Sequence, residues 1–490
     1  MLQCFFYGTG QSDEGICVEV QIAHHRILLD CGLRDISVLQ TLEPPDLILC
    51  SHADPDNSRS LLLLHQKFPD VPIYSSTVTA QLIGFGFGSS SLLSPLIQTL
   101  DWRSTTELLP NLTVQLFSAG HLPGAAIVLL TDTSDDRPQT LLYAPDLSLT
   151  NSRLTDGLKL EELRGLFPDV LVISGAYGTD RYPHRRQLET QLMETIDRAL
   201  ISGQSVFLPV PALGLAQEIL ILLRSHHLFS GRSVTAWVDD AIADQCDRYE
   251  QIIPTFPSSI QNFARYQSLF LDSTIRPCIQ RLTKRPNTFA AEFIAPAFVA
   301  PAFVAPESVP QIILVSEPES GQPLPALVQI LMQRGDWLLL FSQTSRHQFE
   351  IPALPTESYA LPNHCDGSTL PQVIHTLRPQ HVVFIHGTPE KLLQLAELDD
   401  LNSRYKLHIP SSGTGLELPI ADFFNAPSVP DVSYEGELIE TETEILISLP
   451  RDLTADPRWK ILSDLGLIRA QWQGNSLIIR GISQRDPRLS

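Results

Sequence analysis

Four short apolar runs of this sequence end in histidine or aspartate. Leu47–Cys50 leads into Ser51-His52-Ala53-Asp54-Pro55-Asp56-Asn57. Val114–Phe117 leads into Ser118-Ala119-Gly120-His121, and Leu141–Tyr143 into Ala144-Pro145-Asp146. Val382–Ile385 leads into His386-Gly387. Singly, each polar residue has an ordinary explanation. His121 reads as a loop histidine, Asp146 as a turn former, and Asp56 or Asn57 as the cap of a helix over Ser60–Lys67. Together they describe one site, because ligand sites of open α/β sheets gather at the carboxyl ends of strands. Imidazole nitrogen and carboxylate oxygen suit a hydrolytic metal such as zinc, whose catalytic sites leave a position for water. Such an ion lowers the pKa of that water to about 7. Two ions roughly 3.5–4 Å apart clamp the attacking and leaving oxygens of a phosphodiester.

The elements that must position these residues are strands alternating with helices. Through about residue 175 the chain alternates apolar runs of 3–6 residues with loops, among them Ile27–Leu29, Ala126–Leu130 and Val170–Ile173. Such runs, bounded by Gly, Pro, Asp or Ser, read as buried strands. Ser60–Lys67 and Arg185–Ile201 have helical spacing, and Pro211–Arg224 reads as strand, turn and helix with Gly214 at the junction. Gln311–Val315, Trp337–Phe341 and His381–Ile385 resume the strand pattern. This mixture implies a layered α/β architecture. A five-residue repeat over 293–306 places a proline in every copy. Proline at that spacing denies it helix and central strand, so it reads as a polyproline-like linker or surface loop. From about 430 onward, Ile445–Leu449 and Ser476–Ile479 flank a helical pattern near 455–466 and suggest a small separate module.

Composition narrows the class. A chain of 490 residues with 43% hydrophobic and 18% charged content has two to four domains with real cores and is not a disordered chain. No apolar stretch reaches membrane-spanning length, and the N-terminus lacks a secretory pattern, so no membrane partner is expected. The 7 scattered cysteines, odd in number and without a CxxC pair, argue against a disulfide framework and point to the cytoplasm. The balance of 34 Lys+Arg against 55 Asp+Glu gives −21, which does not favour non-specific attraction to nucleic acid. The densest basic cluster, Arg181, His184, Arg185 and Arg186, reads as a solvated helix start.

The order and context of these motifs resemble the metallo-β-lactamase superfamily, and within it the β-CASP branch that includes the ribonuclease J group and the cleavage-and-polyadenylation endonuclease. The likeness runs from residue 1 to about 425. Ile27–Gly32, with Asp30, is similar to the family's early strand and turn. Ser51–Asn57 sits where the family has HxHxDH. Ala119–Ala125 resembles the second histidine motif and Tyr143–Ser148 the bridging-aspartate motif. Asp169–Gly178 resembles the first β-CASP motif, and Leu208–Glu218 the start of the inserted domain. Asn363–Asp366 and Phe384–Gly387 resemble the second and third β-CASP motifs. The implied fold is α/β: a metallo-β-lactamase αββα sandwich with an inserted β-CASP domain and a small C-terminal module. The implied boundaries are 1–178 and 362–425 for the sandwich, 179–361 for the insertion and 426–490 for the module.

The chain departs from the family at Asp54 and Asn57, where histidines are usual, and at Ser174, where a carboxylate is usual. Leu215 replaces an arginine, and Pro362 and Asn363 replace small residues. By resemblance, His52, Asp54, His121 and Asp146 would hold a first metal. Asp56, Asn57, Asp146 and His386 would hold a second, weakened by the neutral amide of Asn57. One zinc ion is the central expectation, with two ions, no metal, or manganese or iron in place of zinc as alternatives. Asp56 would orient or deprotonate the attacking water, and His364 would be the general acid, without its usual carboxylate partner at Ser174. Cys365 beside it reads as a packing residue. Three functions follow from the resemblance: a ribonuclease acting on single-stranded RNA, a degenerate scaffold or regulator in an RNA-processing complex, or a small-molecule metallohydrolase. A homo-oligomer or a protein complex is compatible with each. Whatever metal is bound should be lost in His121→Ala and in Asp146→Ala, measured by elemental mass spectrometry; undiminished metal in both would sink the site assignment.

Overall fold

The computed structural model describes residues 2–40, 42–83, 96–282, 310–317, 337–343 and 355–421, together with strands at 437–440, 445–448, 468–473 and 476–481. The proline-rich repeat at 293–306 and the helix expected near 455–466 lie outside the described residues.

Two seven-stranded sheets face each other. The first has the order Thr414–Leu418, Leu2–Thr9, Ile16–Ile22, His25–Leu29, Leu47–Leu49, Ile73–Ser76, Ile97–Leu100. The second has the order Lys406–His408, His381–Ile385, Val170–Ser174, Gln139–Ala144, Ala126–Asp132, Leu112–Ser118, Thr106–Leu109. Period-2 alternation decides which side chains meet between them. Leu2, Cys4 and Phe6 of one sheet share a core with Val170, Val172, Val383 and Ile385 of the other. The outward residues are apolar as well, so both sheets need a cover. Helices Leu61–Lys67 and Thr77–Ile83 set Leu61, Leu64, Ala80 and Ile83 against Cys17, Leu28 and Ile48. Helices Leu370–Leu377 and Pro389–Ala396 set Val373, Ile374, Leu392 and Leu395 in the core that holds Leu171, Ile173 and Phe384. The result is an αββα sandwich.

A third sheet of six parallel strands has the order Cys278–Arg281, Thr235–Val238, Ile312–Ser316, Ser205–Val210, Trp337–Ser342, Thr356–Tyr359. Its residues fall in the chain between Val170–Ser174 and His381–Ile385, which are hydrogen-bonded neighbours in the second sheet. The chain therefore leaves the sandwich, builds the third sheet and returns to the adjacent strand. Ser205–Val210 is buried along its whole length, as a central parallel strand requires. Two antiparallel hairpins pair Glu437–Glu440 with Ile445–Ser448 and Ile468–Gln473 with Ser476–Gly481.

Two local expectations need correction. The strand expected from Pro211 ends one residue earlier, at Val210, and Gly214 at φ 85° caps the helix Leu215–Ser225. Arg185 is not solvated. It is 6% exposed and donates to Glu189 at 3.2 Å, Glu218 at 3.2 Å and the Pro362 carbonyl at 2.9 Å. Two carboxylates and a carbonyl offset the cost of burying its guanidinium. All seven cysteines are free. No helix among the described residues is long and apolar enough to cross a membrane.

One close approach ties the fold to the loop that carries His52. Gly32 donates its N–H to the Ile16 carbonyl at 2.9 Å, and a Cβ on it would stand 1.7 Å from the Asp56 carbonyl oxygen. No side chain fits there unless the loop shifts. Gly32→Ala should cost at least ~1–3 kcal/mol, the range for overpacking, read as a lowered Tm; an unchanged Tm would contradict this packing.

Candidate metal centre

Side chains from four strand ends meet at Asp146, which follows the strand Gln139–Ala144. Its two carboxylate oxygens face different partners. Oδ2 lies 3.0 Å from His52 Nε2 and 3.9 Å from His121 Nε2. Asp54 Oδ2 completes this side, 3.5 Å from His52 Nε2 and 3.0 Å from His121 Nε2. Oδ1 faces the other way. It is hydrogen-bonded to His386 Nδ1 and lies 3.3 Å from His364 Nδ1. Two groups with metal-binding spacing result: His52, Asp54, His121 and Asp146, and Asp146, His364 and His386. In each, the ligand atoms lie within 4.8 Å of one another.

The rings of the first group are held by hydrogen bonds on their far side. A carbonyl oxygen only accepts, so the 2.9 Å contact of His121 Nδ1 with the Asn363 carbonyl puts the ring proton on Nδ1. Nε2, 3.0 Å from Asp54 Oδ2, would then offer its lone pair to an ion held between them. The same logic fixes His52. Ser51 donates its hydroxyl proton to Asp30 Oδ2 at 2.7 Å, so its oxygen accepts from His52 Nδ1 at 2.8 Å. Asp30 is fully buried, adopts a left-handed φ of 58°, and also accepts from the Ser51 N–H, Asn57 Nδ2 and the Tyr143 hydroxyl at 2.7–2.8 Å. His386 adopts φ 53°, and its N–H donates to the Thr9 carbonyl at 2.7 Å.

Burial and charge act against each other here. Burial alone would lower the pKa of His52, but hydrogen bonds that its ring donates to the Asp146 and Asp54 carboxylates outweigh it and push it up to about 10. Burial would raise Asp146, yet the facing His386 and His364 hold it well below the usual carboxylate range. Asp54 lies below that range too, where His121 and His52 overcome its burial. His364 is pulled down to about 4, mainly by burial. Burial keeps Asp30 raised despite His52 and its hydrogen-bond donors.

The structure thus brings together His52, Asp54, His121, Asp146, His364 and His386. Asp56 joins neither group; it sits in the first turn of the helix Pro55–Ser58 with Arg59 at 3.7 Å. Asn57 is buried and directs its amide nitrogen to Asp30, not to the cluster. Cys365 is buried, with its thiol pushed up to about 12 by that burial, which fits packing. Sequence reasoning missed the supports: Ser51, Tyr143, the Asn363 carbonyl and the organising role of Asp30. For Asp30 a signal existed, since a carboxylate directly follows the apolar run Ile27–Leu29.

No protein-family model matches the sequence. The chain is 41% identical over 499 residues to an uncharacterized protein of Synechocystis, covering 98% of this chain and 87% of that one. It is 28% identical to an RNase J-like protein of Methanocaldococcus jannaschii over 52% of this chain and 63% of that protein. It is 20% identical to Integrator complex subunit 11 of Gallus gallus over 89% of this chain and 76% of that protein. With an αββα sandwich, a sheet built between two of its neighbouring strands, and a His/Asp cluster at the strand ends, this chain belongs to the β-CASP branch of the metallo-β-lactamase superfamily.

Proposed function

We propose that this chain is a metal-dependent phosphodiesterase that cleaves single-stranded RNA. The first ligand group carries the reading: two imidazoles and two carboxylates whose donor atoms converge within 4.8 Å. A tetrahedral zinc site with bonds of about 2.0–2.1 Å has ligand-to-ligand edges of roughly 3.3 Å. The neighbouring pairs here measure 3.0, 3.5, 3.0 and 3.9 Å, so the donor set fits. With four protein donors, the ion would have to take a water as a fifth ligand to lower its pKa and polarise a phosphoryl oxygen. Zinc is the ion assigned. The carboxylate at Asp54, in place of an imidazole, hardens the site and keeps manganese and iron as the alternatives to assay.

The chain's own residues supply orientation. Ser51 and Asp30 hold His52 from behind, and the Asn363 carbonyl holds His121. We assign Asp56, in the turn after Asp54, to orienting the attacking water. A cleft beside His121 is lined by Asn363, Arg185, Gly214 and Tyr249, from both the sandwich and the third-sheet segment. This supports 1–178 plus 362–425 as the catalytic domain and 179–361 as the insertion that closes the cleft. RNA as substrate rests on the names of the relatives, one an RNase J-like protein. With a net charge of −21, RNA binding must depend on local contacts in the cleft. A scaffold role in an RNA-processing complex is the second reading, favoured by Ser174 and by the engagement of Asn57 with Asp30.

The test is hydrolysis of single-stranded RNA by the full chain, stripped of metal and reloaded with zinc or manganese. Metal-dependent cleavage is expected, falling to background in Asp146→Asn. A folded, metal-loaded protein that leaves RNA intact would overturn the nuclease reading in favour of the scaffold. Ser51→Ala, which frees the far side of His52, should weaken metal affinity by ~10–100-fold, the usual effect of losing a support behind a ligand; an unchanged affinity would deny Ser51 that role.

A further inference from the structure

We propose that His364 is a ligand of a second metal ion, held with His386 and the Oδ1 oxygen of Asp146, and is not the general acid that the family resemblance implied. The proposal rests on the metal-dependent reading above but not on RNA as substrate. Three observations carry it. First, the family's layout for this ion does not form. Asp56 lies outside both groups, and Asn57 points its amide nitrogen at Asp30, 2.7 Å away. Asn57 retains only a neutral amide oxygen, a poor match for zinc beside imidazole and carboxylate donors. Second, His364 Nδ1 is buried and aimed at the Asp146 oxygen that His386 also contacts, 3.3 Å away. A ring lone pair facing a buried carboxylate costs free energy unless a cation stands between the two. A metal at the point shared by Asp146, His364 and His386 would do so. Third, the ring is fixed in that direction. It stacks on His121 at 4.6 Å and meets Tyr177 edge-on at 5.2 Å. Its flanking backbone is held by the Cys365 N–H on the Leu147 carbonyl at 2.7 Å and by the Asn363 N–H on the Tyr177 hydroxyl at 3.2 Å.

The replacement of a carboxylate by Ser174 fits the same picture. A general acid needs a partner that orients it and holds its proton. Ser174 instead reaches His386 Nδ1 at 3.2 Å, leaving His364 without an acidic partner other than Asp146. Asp146 then bridges two sites of unlike composition, one with two imidazoles and two carboxylates, the other with two imidazoles and the shared carboxylate.

The experiment counts ions in the full chain, stripped with chelator, reloaded with zinc alone and desalted. The wild type should hold two equivalents, and His364→Ala one, with an unchanged circular dichroism spectrum. Asp56→Asn should keep both. His364→Cys tests the geometry directly: it should hold two equivalents, and loaded with cobalt(II) it should gain a thiolate-to-cobalt charge-transfer band absent from the wild type. A single equivalent in the wild type, two in folded His364→Ala, or no new band in His364→Cys would each overturn the proposal. RNA cleavage is assayed separately. Two ions without cleavage would sink the nuclease reading and leave this assignment standing.

Discussion

The carboxylate of Asp146 is the contact on which the rest of the centre depends. One oxygen faces His52 and His121, and the other faces His364 and His386. A single residue can join these two sides only because the strands that deliver them lie side by side. Gln139–Ala144 pairs in parallel with Val170–Ser174, which pairs in parallel with His381–Ile385. Their carboxyl ends therefore open at the same edge, with Asp146 and His386 just beyond. Across the inter-sheet core, Leu47–Leu49 of the other sheet ends beside them and delivers His52 and Asp54. The two layers of the sandwich are thus held in register by apolar packing below and by one buried polar cluster at the rim.

A buried cluster of this kind is stable only when each polar group has a partner. Asp30 answers for one side. Fully buried, it accepts from Ser51, Asn57 and Tyr143, and through Ser51 it orients His52. Its left-handed backbone is a conformation that Asp tolerates better than most residues. Asn57 joins this support through its amide nitrogen. The left-handed conformation of His386, which costs of order 1–3 kcal/mol, lets a residue at the strand end turn its ring back to Asp146.

The strand ends, a layered α/β architecture and the polar residues after the strands were legible in the sequence, because each depends on local order; the αββα sandwich, the inserted sheet and His364 were implied only by the family resemblance. Apolar runs bounded by polar turns give strands, and the residue after the run stands at a sheet edge. What was not legible depends on contacts across the chain. Tyr143 and Asp30 are 113 residues apart, and His121 and Asn363 are 242 apart. Arg185 sits in a basic run that looks solvated, but Glu218, 33 residues on, meets it inside the protein. Asn57 and His364 show the same limit. Motif position suggested a ligand and an acid, whereas side-chain direction turns one to Asp30 and the other to Asp146. No spacing rule encodes that choice.

The most direct test of the account is anomalous diffraction at the zinc absorption edge from crystals of the zinc-loaded full chain. One peak bounded by His52, Asp54, His121 and Asp146 is expected, and a second on the far side of Asp146 between His364 and His386. Crystals of the zinc-loaded protein with no anomalous peak beside Asp146 would contradict the account.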